Sequence, residues 1–333
     1  MDNTWLSAHI YYHDDLDALI EGVVRPLAAE LAASGAIDGR FFVRHWQGGP
    51  HLRLRLRPAA GADPAEVSRR VAEHVGLFLA KHPSTAVVEQ EGYLRVAGPL
   101  ARRERGQGEI EPLQPNNSIR WVPYEREYGR YGGTAAALET VERHFAESTG
   151  IALDVIASGR GRDHRTGQAL AMMFLCAAVG EATPGGLAAF FTAGRGDWGS
   201  KLAFGDPRLE ETAFEERFRR QRDHLHHLVD GLAAMVRDGA TADSGAPAAR
   251  WARSVGALRD GLLRLERDGL FRPGEPLLSG GRDEEEHPGL RSVLLLCSHM
   301  NNNRLGISLT EEAYLMYLLW RVVTDAGRPV GPP

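Results

Sequence analysis

The chain has 333 residues, of which 43% are hydrophobic, enough to bury the core of one large domain or two ordinary ones. Its formal net charge is −5, which argues against a general positive field that attracts nucleic acid, so any basic site must be local. The first residues lack a basic segment followed by an apolar one, and no apolar run reaches the length of about 20 residues that spans a membrane. We therefore expect a cytoplasmic protein with no signal peptide and no membrane partner.

Apolar and polar residues alternate in three N-terminal segments, which predicts strands. These segments are Trp5–Tyr12, Arg40–Trp46 and His51–Arg57. Apolar residues at helical spacing predict helices over Asp15–Ser34 and Pro64–His82, and Pro26 should kink or split the first of them. A fourth extended segment is expected over Thr85–Ala97, followed by a long loop over Gly98–Ser118 and a further extended segment over Ile119–Tyr124.

This order, β-α-β-β-α-β, is typical of a ferredoxin-like antiparallel sheet with two helices on one face and the first and third strands in the middle. The second half of the chain is mostly apolar residues at helical spacing, separated by loops at residues 194–207, 239–249 and 271–289. We therefore predict an α+β fold. Residues 1–133 should form the sheet portion and residues 134–333 a mainly helical portion that covers the open face of the sheet.

The third strand carries the strongest candidate for a functional site. Its leucines alternate with cationic residues, so one face is apolar and the other presents His51, Arg53, Arg55 and Arg57. Like charges side by side repel, so such a row lies either in water or against an anion. Arginine binds carboxylates and phosphates through paired hydrogen bonds that lysine does not make, and the absence of lysine here favours anion recognition. In the predicted sheet, His9 and Tyr11 of the first strand share this face.

Two later segments are weaker candidates. His299 and Asn303 share one face of a predicted helix, so His299 is either a general acid or base or a hydrogen-bonded core histidine. Arg130 precedes a glycine pair and a helix that Thr134 can cap. That segment is either a plain entry into the helix or a place where a guanidinium and helix amides meet an anion.

A metal site finds little support in the sequence. His224 and His227 have a spacing at which both could contact one metal ion, but no carboxylate or cysteine nearby completes a set of ligands. Cys176 and Cys297 each lie in an apolar run, without a Cys-x-x-Cys spacing, which is typical of buried thiols. We expect no metal and no cofactor.

Three motifs, taken in their order and spacing, resemble the C-terminal elimination domain of class I lantibiotic dehydratases, whose stand-alone form is called the thiopeptide-type bacteriocin biosynthesis protein. The motifs are FFVRHWQGGPHLRLR at Phe41–Arg55, RYGG at Arg130–Gly133 and HMNNNRL at His299–Leu305. The resemblance extends from Trp5 to about Val323, and it implies that residues 1–333 form a single elimination-type domain.

The resemblance implies a reaction on a ribosomally synthesised precursor peptide. A separate partner protein uses glutamyl-tRNA to glutamylate Ser or Thr side chains, and the elimination domain removes the glutamate to leave dehydroalanine or dehydrobutyrine. No direct tRNA binding is expected of this chain, and a homodimer is left open. The residues that match those needed for elimination are His299, Arg130, Arg53 and Arg55. The residues expected to bind the substrate are Arg44, His51, His9, Tyr11 and Asn303.

Two alternatives remain. Thiopeptide pyridine synthases share this fold but join two dehydroalanines in a formal aza-[4+2] cycloaddition with release of the leader peptide. They tend to depart from the arginine and histidine set that is intact here, which favours elimination. A non-catalytic peptide-binding subunit would keep the fold and tolerate the loss of His299.

Overall fold

The structure, a computed structural model, describes residues 5–105, 110–181, 183–202, 207–239, 244–272 and 287–325. The chain divides into two compact units, Met1–Glu125 and Arg126–Pro333. The first unit contains an antiparallel sheet and helices, whereas the described part of the second is built from helices. The predicted α+β class is therefore confirmed.

The first unit combines four strands with four α-helices in its described residues. The strands are β1 (Leu6–Tyr11), β2 (Ile37–His45), β3 (His51–Pro58) and β4 (Ser118–Trp121). The helices are α1 (Leu16–Leu19), α2 (Arg25–Ala33), α3 (Pro64–Lys81) and α4 (Gln90–Arg105). A π-helical segment, Ile20–Val24, joins α1 to α2. Pro26 lies in the first turn of α2, directly after the π-helical segment, and the residues at both junctions keep right-handed helical angles, so the hydrogen-bond pattern changes next to Pro26 while the helix itself continues.

The strands form one antiparallel sheet in the order β2-β3-β1-β4, so β1 and β3 lie side by side in the middle, as predicted. Three pairs stand opposite one another in these two strands, namely Ser7 with Arg55, His9 with Arg53 and Tyr11 with His51. Directly opposite residues share a face of the sheet. The polar residues of β1 and the arginines of β3 therefore lie on one face.

The other face of β3 belongs to the core of the first unit. Leu52, Leu54 and Leu56 are buried there, and α2 and α3 pack against each other and against β2 and β1. Asp63 caps the N-terminus of α3, whose buried stripe consists of valines four residues apart. The same burial that holds the leucines inside directs the arginines of β3 to the opposite face.

The fourth strand is not where the sequence predicts it. Thr85–Ala97 contains irregular backbone up to residue 89 and then the first turns of α4, so this prediction is wrong. Tyr93, Ala97 and Leu100 are buried at helical spacing, a pattern that becomes visible only when the segment is read through residue 100. The edge strand β4 pairs with β1 instead, and it overlaps the extended segment predicted over Ile119–Tyr124. The predicted six-element ferredoxin-like order is therefore not confirmed.

The second unit begins with a 3-10 turn, Tyr128–Tyr131, and continues with helices. These helices are α5 (Ala135–Ala157), α6 (Gly161–Gly180), α7 (Pro184–Leu202), α8 (Pro207–Arg237), α9 (Pro247–Arg267), α10 (Pro288–Leu305) and α11 (Leu309–Thr324). Thr134 caps α5 as predicted, and Ser308 and Glu311 form the predicted capping box of α11.

Three predicted loops have different outcomes. The predicted loop after residue 194 is wrong in its first part, because α7 continues to Leu202, and the loop predicted after residue 97 is helical up to Arg105. Most of the loop predicted at 271–289 lies outside the described residues.

Within the described ranges, none of the helices combines the length and hydropathy needed to cross a lipid bilayer. The sequence analysis expects residues 1–333 to form a single domain in which the helical portion covers one face of the sheet, and this stays a prediction.

Truncating a core leucine of β3 tests the assignment of its two faces. Leu54 is 2% exposed, and Leu54→Ala should lower the free energy of unfolding by about 2–5 kcal/mol, through lost burial and the cavity left behind. Leu77→Ala on α3 is the control, because Leu77 is 74% exposed and its loss should change stability by about 0.5 kcal/mol or less. Urea unfolding measures both, and equal effects would contradict the assignment.

Candidate functional site

Five predicted site residues come together on the face of the sheet in the first unit that lies opposite the leucines of β3. They are His9, Tyr11, His51, Arg53 and Arg55, and we call them the sheet-face cluster. Two antiparallel strands position them, because residues of β1 and β3 that stand opposite one another point to the same side. The cluster is therefore produced by strand pairing between segments about 45 residues apart in the sequence.

His51 holds Arg53 in place. The His51 ring is fully buried, with Nδ1 2.8 Å from the carbonyl oxygen of Gly49 and Nε2 3.2 Å from Nε of Arg53. The arginine Nε–H can only donate, so His51 Nε2 accepts its hydrogen bond and His51 Nδ1–H donates to the carbonyl. His51 is thus a neutral imidazole that orients a guanidinium.

A stack of rings surrounds His51. The centroid of its ring lies 5.1 Å from that of His9 and 5.4 Å from that of His45, both in stacked orientation, and 4.5 Å from that of Tyr11. The Nδ1 atom of His45 accepts hydrogen bonds from the backbone N–H groups of Trp46 and Gln47. Close packing of these rings leaves little room for rearrangement beneath the arginines.

The histidines of the cluster add no charge near neutral pH. Burial lowers the pKa of His51 to about 3, with Arg53 and Arg55 acting in the same direction and the hydrogen bond to Gly49 acting against them. Burial, followed by the charge of Arg53, lowers the pKa of His9 to about 2. The positive charge of the sheet-face cluster therefore belongs to its arginines.

Aromatic rings hold Arg55. Its guanidinium carbon lies 4.4 Å from the ring centroid of Tyr124 and 5.7 Å from that of Phe41, distances at which a cation is attracted to a ring face. Neither ring is among the predicted site residues, although Phe41 stands opposite Arg55 in the sheet. Arg57, on the same strand, has its guanidinium carbon 5.3 Å from the ring centroid of Trp5 and forms an ion pair with Asp38.

Arg44, which the sequence also places among the substrate-binding residues, lies on the opposite face of the sheet from the sheet-face cluster, and its role stays a prediction. It stands opposite the buried Leu52 and forms an ion pair with Asp17 of α1. Side chains of β2 alternate between the two faces of the sheet. Val43 stands opposite Arg53 and shares its face, so the next residue, Arg44, points to the other face. Arg120 of β4 takes a position on the cluster's face instead, opposite His9.

A different set of contacts positions Arg130 in the second unit. Arg130 lies in the 3-10 turn, is 37% exposed, and has Nη1 3.6 Å from a carboxylate oxygen of Glu127. Arg126 anchors this turn through two hydrogen bonds of 3.0 and 2.7 Å to the buried carboxylate of Glu142 on α5. A two-pronged bond of this kind fixes orientation as well as distance.

The two glycines after Arg130 are required by the backbone. Gly132 and Gly133 have φ angles of 103° and 76°, a region that side chains disfavour. The Gly132 carbonyl accepts a 2.7 Å hydrogen bond from the Arg272 N–H, and a Cβ on Gly133 would lie 2.1 Å from the Arg272 carbonyl oxygen. The segment after α9 therefore passes so close to the turn that only glycine fits.

His299 on α10 is paired with a carboxylate. Its Nδ1 lies 2.7 Å from Oε2 of Glu312 on α11, and the His299 side chain is 21% exposed whereas Glu312 is 1% exposed. Glu312 is not among the predicted site residues. A signal was present, because Glu312 occupies a position on the apolar stripe that continues with Leu315 and Met316. A partly exposed imidazole beside a carboxylate can accept or donate a proton.

The remaining candidates are Asn303, the two cysteines and a metal site, and in the described residues they do not form a second functional site. Asn303 follows His299 by one turn of α10 and is partly buried. Both thiols are buried, and burial raises the pKa of Cys297 to about 12, which disfavours the nucleophilic thiolate. Within the ranges that the structure describes, no group of three His, Cys, Asp or Glu side chains is arranged to hold a metal ion.

The fold and the comparisons with known proteins together define a biosynthetic enzyme. Residues 5–323 match the family model described as lantibiotic biosynthesis dehydratase C-term. Because this match covers nearly the whole chain, the chain belongs to the lantibiotic biosynthesis dehydratase C-terminal family, and the resemblance seen in the sequence is confirmed. A comparison with curated proteins gave no match.

Three solved structures share the fold. Pyridine synthase TbtD from thiomuracin biosynthesis is 21% identical with a TM-score of 0.77, over 97% of this chain and 98% of that chain. TsrL is 20% identical with a TM-score of 0.69, over 99% of both chains. The tRNA-dependent lantibiotic dehydratase MibB from Microbispora sp. 107891 is 17% identical with a TM-score of 0.56, over 97% of this chain and 28% of that chain.

A methyl group on Gly133 tests the close approach at the Arg130 turn. Gly133→Ala should destabilise the second unit by about 1–3 kcal/mol, because the added carbon meets a backbone oxygen and the φ angle disfavours a side chain. Gly129→Ala in the same turn is the control, since no atom lies within 4 Å of the place that its Cβ would occupy. Thermal unfolding compares the two variants, and similar shifts would refute the close approach.

The neutral state of His51 predicts a pH-dependent stability. The pKa of His51 in the folded chain lies below its ordinary 6.5, so the unfolded chain takes up a proton first as the pH falls. The stability that the neutral His51 ring contributes is fully present above pH 6.5. It is lost as the pH falls towards the pKa of about 3 that His51 has in the folded chain. In urea unfolding, His51→Phe should reduce the loss of stability between about pH 7 and about pH 5 by about 2 kcal/mol. An unchanged loss would contradict the neutral assignment.

Proposed function

We propose that the chain removes glutamate from glutamylated Ser or Thr side chains of a precursor peptide, leaving dehydroalanine or dehydrobutyrine. The observation that carries this proposal is the presence of Arg53, Arg55, Arg130 and His299 at the motif positions of a family to which the chain belongs. The proposed partners are the precursor peptide and a separate tRNA-dependent glutamylation protein.

The proposed step is a β-elimination. A base removes the proton from the Cα atom of the modified residue, and the electron pair of that C–H bond forms the Cα–Cβ double bond. The Cβ–O bond breaks, and its electron pair leaves with the glutamate carboxylate. Negative charge therefore develops on the enolate oxygen of the peptide and on the leaving group, and both benefit from fixed cations.

The contacts of Arg53 and Arg55 suit them to this task. Arg53 is oriented by the neutral ring of His51, and Arg55 by the ring of Tyr124, so neither guanidinium has to reorganise strongly when negative charge develops. A planar guanidinium also matches the two oxygens of a carboxylate. We propose that these two arginines bind the glutamyl carboxylates.

Arg130 and His299 supply the other proposed roles. Arg130 is partly exposed on a turn that a buried ion pair anchors, which leaves a guanidinium accessible to a negatively charged substrate. His299 has one ring nitrogen bonded to Glu312, and histidine is the side chain best suited to proton transfer near neutral pH. We propose that Arg130 stabilises the developing negative charge and that His299 transfers a proton.

The second candidate is the activity named for TbtD, a pyridine synthase. The observation that favours it is the correspondence with TbtD over nearly the full length of both chains. At 21% identity this likeness shows a shared fold, so the arginine and histidine set remains the reason to prefer elimination. The substrate would then be a peptide with two dehydroalanines, and the product a pyridine ring with the leader released.

One experiment separates the candidates. The purified chain is incubated with a precursor peptide that carries a glutamyl ester on serine, and the peptide mass is followed. Loss of glutamic acid supports elimination, and an unchanged ester contradicts it. In a parallel incubation with a peptide containing two dehydroalanines, leader loss and a pyridine chromophore would support cycloaddition. Peptide affinity without any mass change would indicate a binding subunit.

Variants of the proposed residues sharpen this test. His299→Ala should slow elimination by about 10²–10⁴-fold, because it removes a proton-transfer group, and the glutamylated ester should accumulate. Arg55→Lys should slow it by about 10²-fold through loss of the planar guanidinium. The matched control is Arg57→Lys on the same strand, where the arginine pairs with Asp38 and was not given a role in the reaction. Equal loss in both lysine variants would remove Arg55 from the mechanism.

A further inference from the structure

We propose that Arg120 of β4 is a third arginine of the substrate site and recognises the free side-chain carboxylate of the glutamyl group. The inference rests on the proposed function for the identity of the substrate. A glutamyl group that comes from tRNA is joined through its α-carboxyl group, so the ester on the peptide keeps a free side-chain carboxylate. That carboxylate distinguishes glutamate from glutamine, which makes Arg120 a specificity-determining residue.

The first reason is the place of Arg120 in the sheet. The register of β4 against β1 sets Arg120 directly opposite His9, and His9 stands opposite Arg53 on its other side. The three residues therefore form a row across three strands on one face of the sheet. Neighbouring strands lie about 4.8 Å apart, so the Cα atoms of the two arginines are about 10 Å apart. Two long side chains that flank a shorter one at this spacing can contact the same anion.

The second reason is electrostatic. Burial is the main cause that lowers the pKa of His9 to about 2, and the charges of Arg53 and Arg120 act in the same direction. Burial and the charge of Glu111 raise the pKa of Tyr11, whereas the charge of Arg120 acts against them. The charge of Arg120 thus reaches two members of the sheet-face cluster, and an anion bound on this face is attracted by it.

The third reason is how Arg120 is held. Its Nη1 donates a 2.7 Å hydrogen bond to Oε1 of Gln114, whose amide nitrogen donates to the Pro112 carbonyl at 2.8 Å. The backbone N–H of Gln114 donates to the Gly48 carbonyl in the turn between β2 and β3, also at 2.8 Å. An amide oxygen directs the guanidinium and brings no negative charge, in contrast to the carboxylate that pairs with Arg57.

The fourth reason is accessibility. Arg120 is exposed, whereas Arg55 is 8% exposed and His9 is 7% exposed. A guanidinium at the exposed edge of a buried row is accessible to the free end of an incoming glutamyl group, and its planar fork matches the two oxygens of a carboxylate. An exposed side chain can also be substituted with little effect on stability, so variants of Arg120 should fold.

The primary test measures recognition without turnover. A precursor peptide carries 2,3-diaminopropionate in place of the modified serine, with a glutamyl amide that does not eliminate, and a matched peptide carries a glutaminyl amide. By calorimetry, Arg120→Gln should weaken binding of the glutamyl peptide by about 10-fold, because a charge-assisted hydrogen bond is lost, and leave the glutaminyl peptide unchanged. An equal effect on both peptides, or no effect on either, overturns the inference.

The control variant for this test is Arg69→Gln on α3. Arg69 is exposed and pairs with Glu66 and Glu73, so its replacement removes the same charge from the first unit at another position. Binding of both peptides should stay at the wild-type level. If Arg69→Gln weakens the glutamyl peptide as much as Arg120→Gln does, the effect is one of net charge and the specific role of Arg120 is refuted.

The second test uses turnover of the corresponding esters. Arg120→Gln should raise KM for the glutamyl ester by about 10-fold at nearly constant kcat, because the free carboxylate is bound alike before and during the reaction. The glutaminyl ester should react as it does with the wild type. Arg120→Lys should recover part of the loss, since it keeps the charge without the planar fork. A fall in kcat alone, or no recovery by lysine, would contradict this role.

The two tests separate failure of the inference from failure of the proposed function. If the wild type leaves the ester intact but its preference for the glutamyl amide is lost in Arg120→Gln, Arg120 still recognises the carboxylate and elimination is the wrong reaction. If the wild type eliminates glutamate and Arg120→Gln keeps both its affinity and its KM, the role of Arg120 is refuted and the proposed function stands. A wild type that neither eliminates glutamate nor prefers the glutamyl amide refutes both.

Discussion

The packing of the three leucines of β3 into the core of the first unit is the constraint on which the sheet-face cluster depends. Leu52, Leu54 and Leu56 occupy the core, so the residues between them must point to the opposite face. A slip of the strand by one position would drive guanidinium groups into the leucine core and leucines onto the polar face, at a cost of several kcal/mol. The register that satisfies the core therefore also aligns Arg53 and Arg55 with β1.

Neutral rings contribute to the support of the two arginines of the cluster. His51 accepts a hydrogen bond from Arg53, and Tyr124 lies against the guanidinium of Arg55. A ring that accepts a hydrogen bond or presents its face to a cation fixes the direction of that cation and brings no negative charge of its own. The low pKa of His51 belongs to the same arrangement, since a protonated ring could not accept from Arg53.

Buried carboxylates play the corresponding part in the second unit. Glu142 anchors the turn that carries Arg130 through Arg126, and Glu312 contacts His299. Each carboxylate lies on a long helix whose other buried residues are mostly apolar, so its position is rigid. A rigid partner limits the orientations open to a turn or to an imidazole, and pre-organisation lowers the cost of reaching the reactive geometry.

Local patterns in the sequence determined β1, β3, the capping box of α11 and the cationic face of β3, because alternation and caps act between near neighbours. Only the tertiary structure decided that Arg44 lies on the core side of the sheet and that Glu312 meets His299. Those outcomes depend on the phase of one strand against another and on the packing of distant helices. Such contacts join residues far apart in the chain, and no short window of sequence contains both partners.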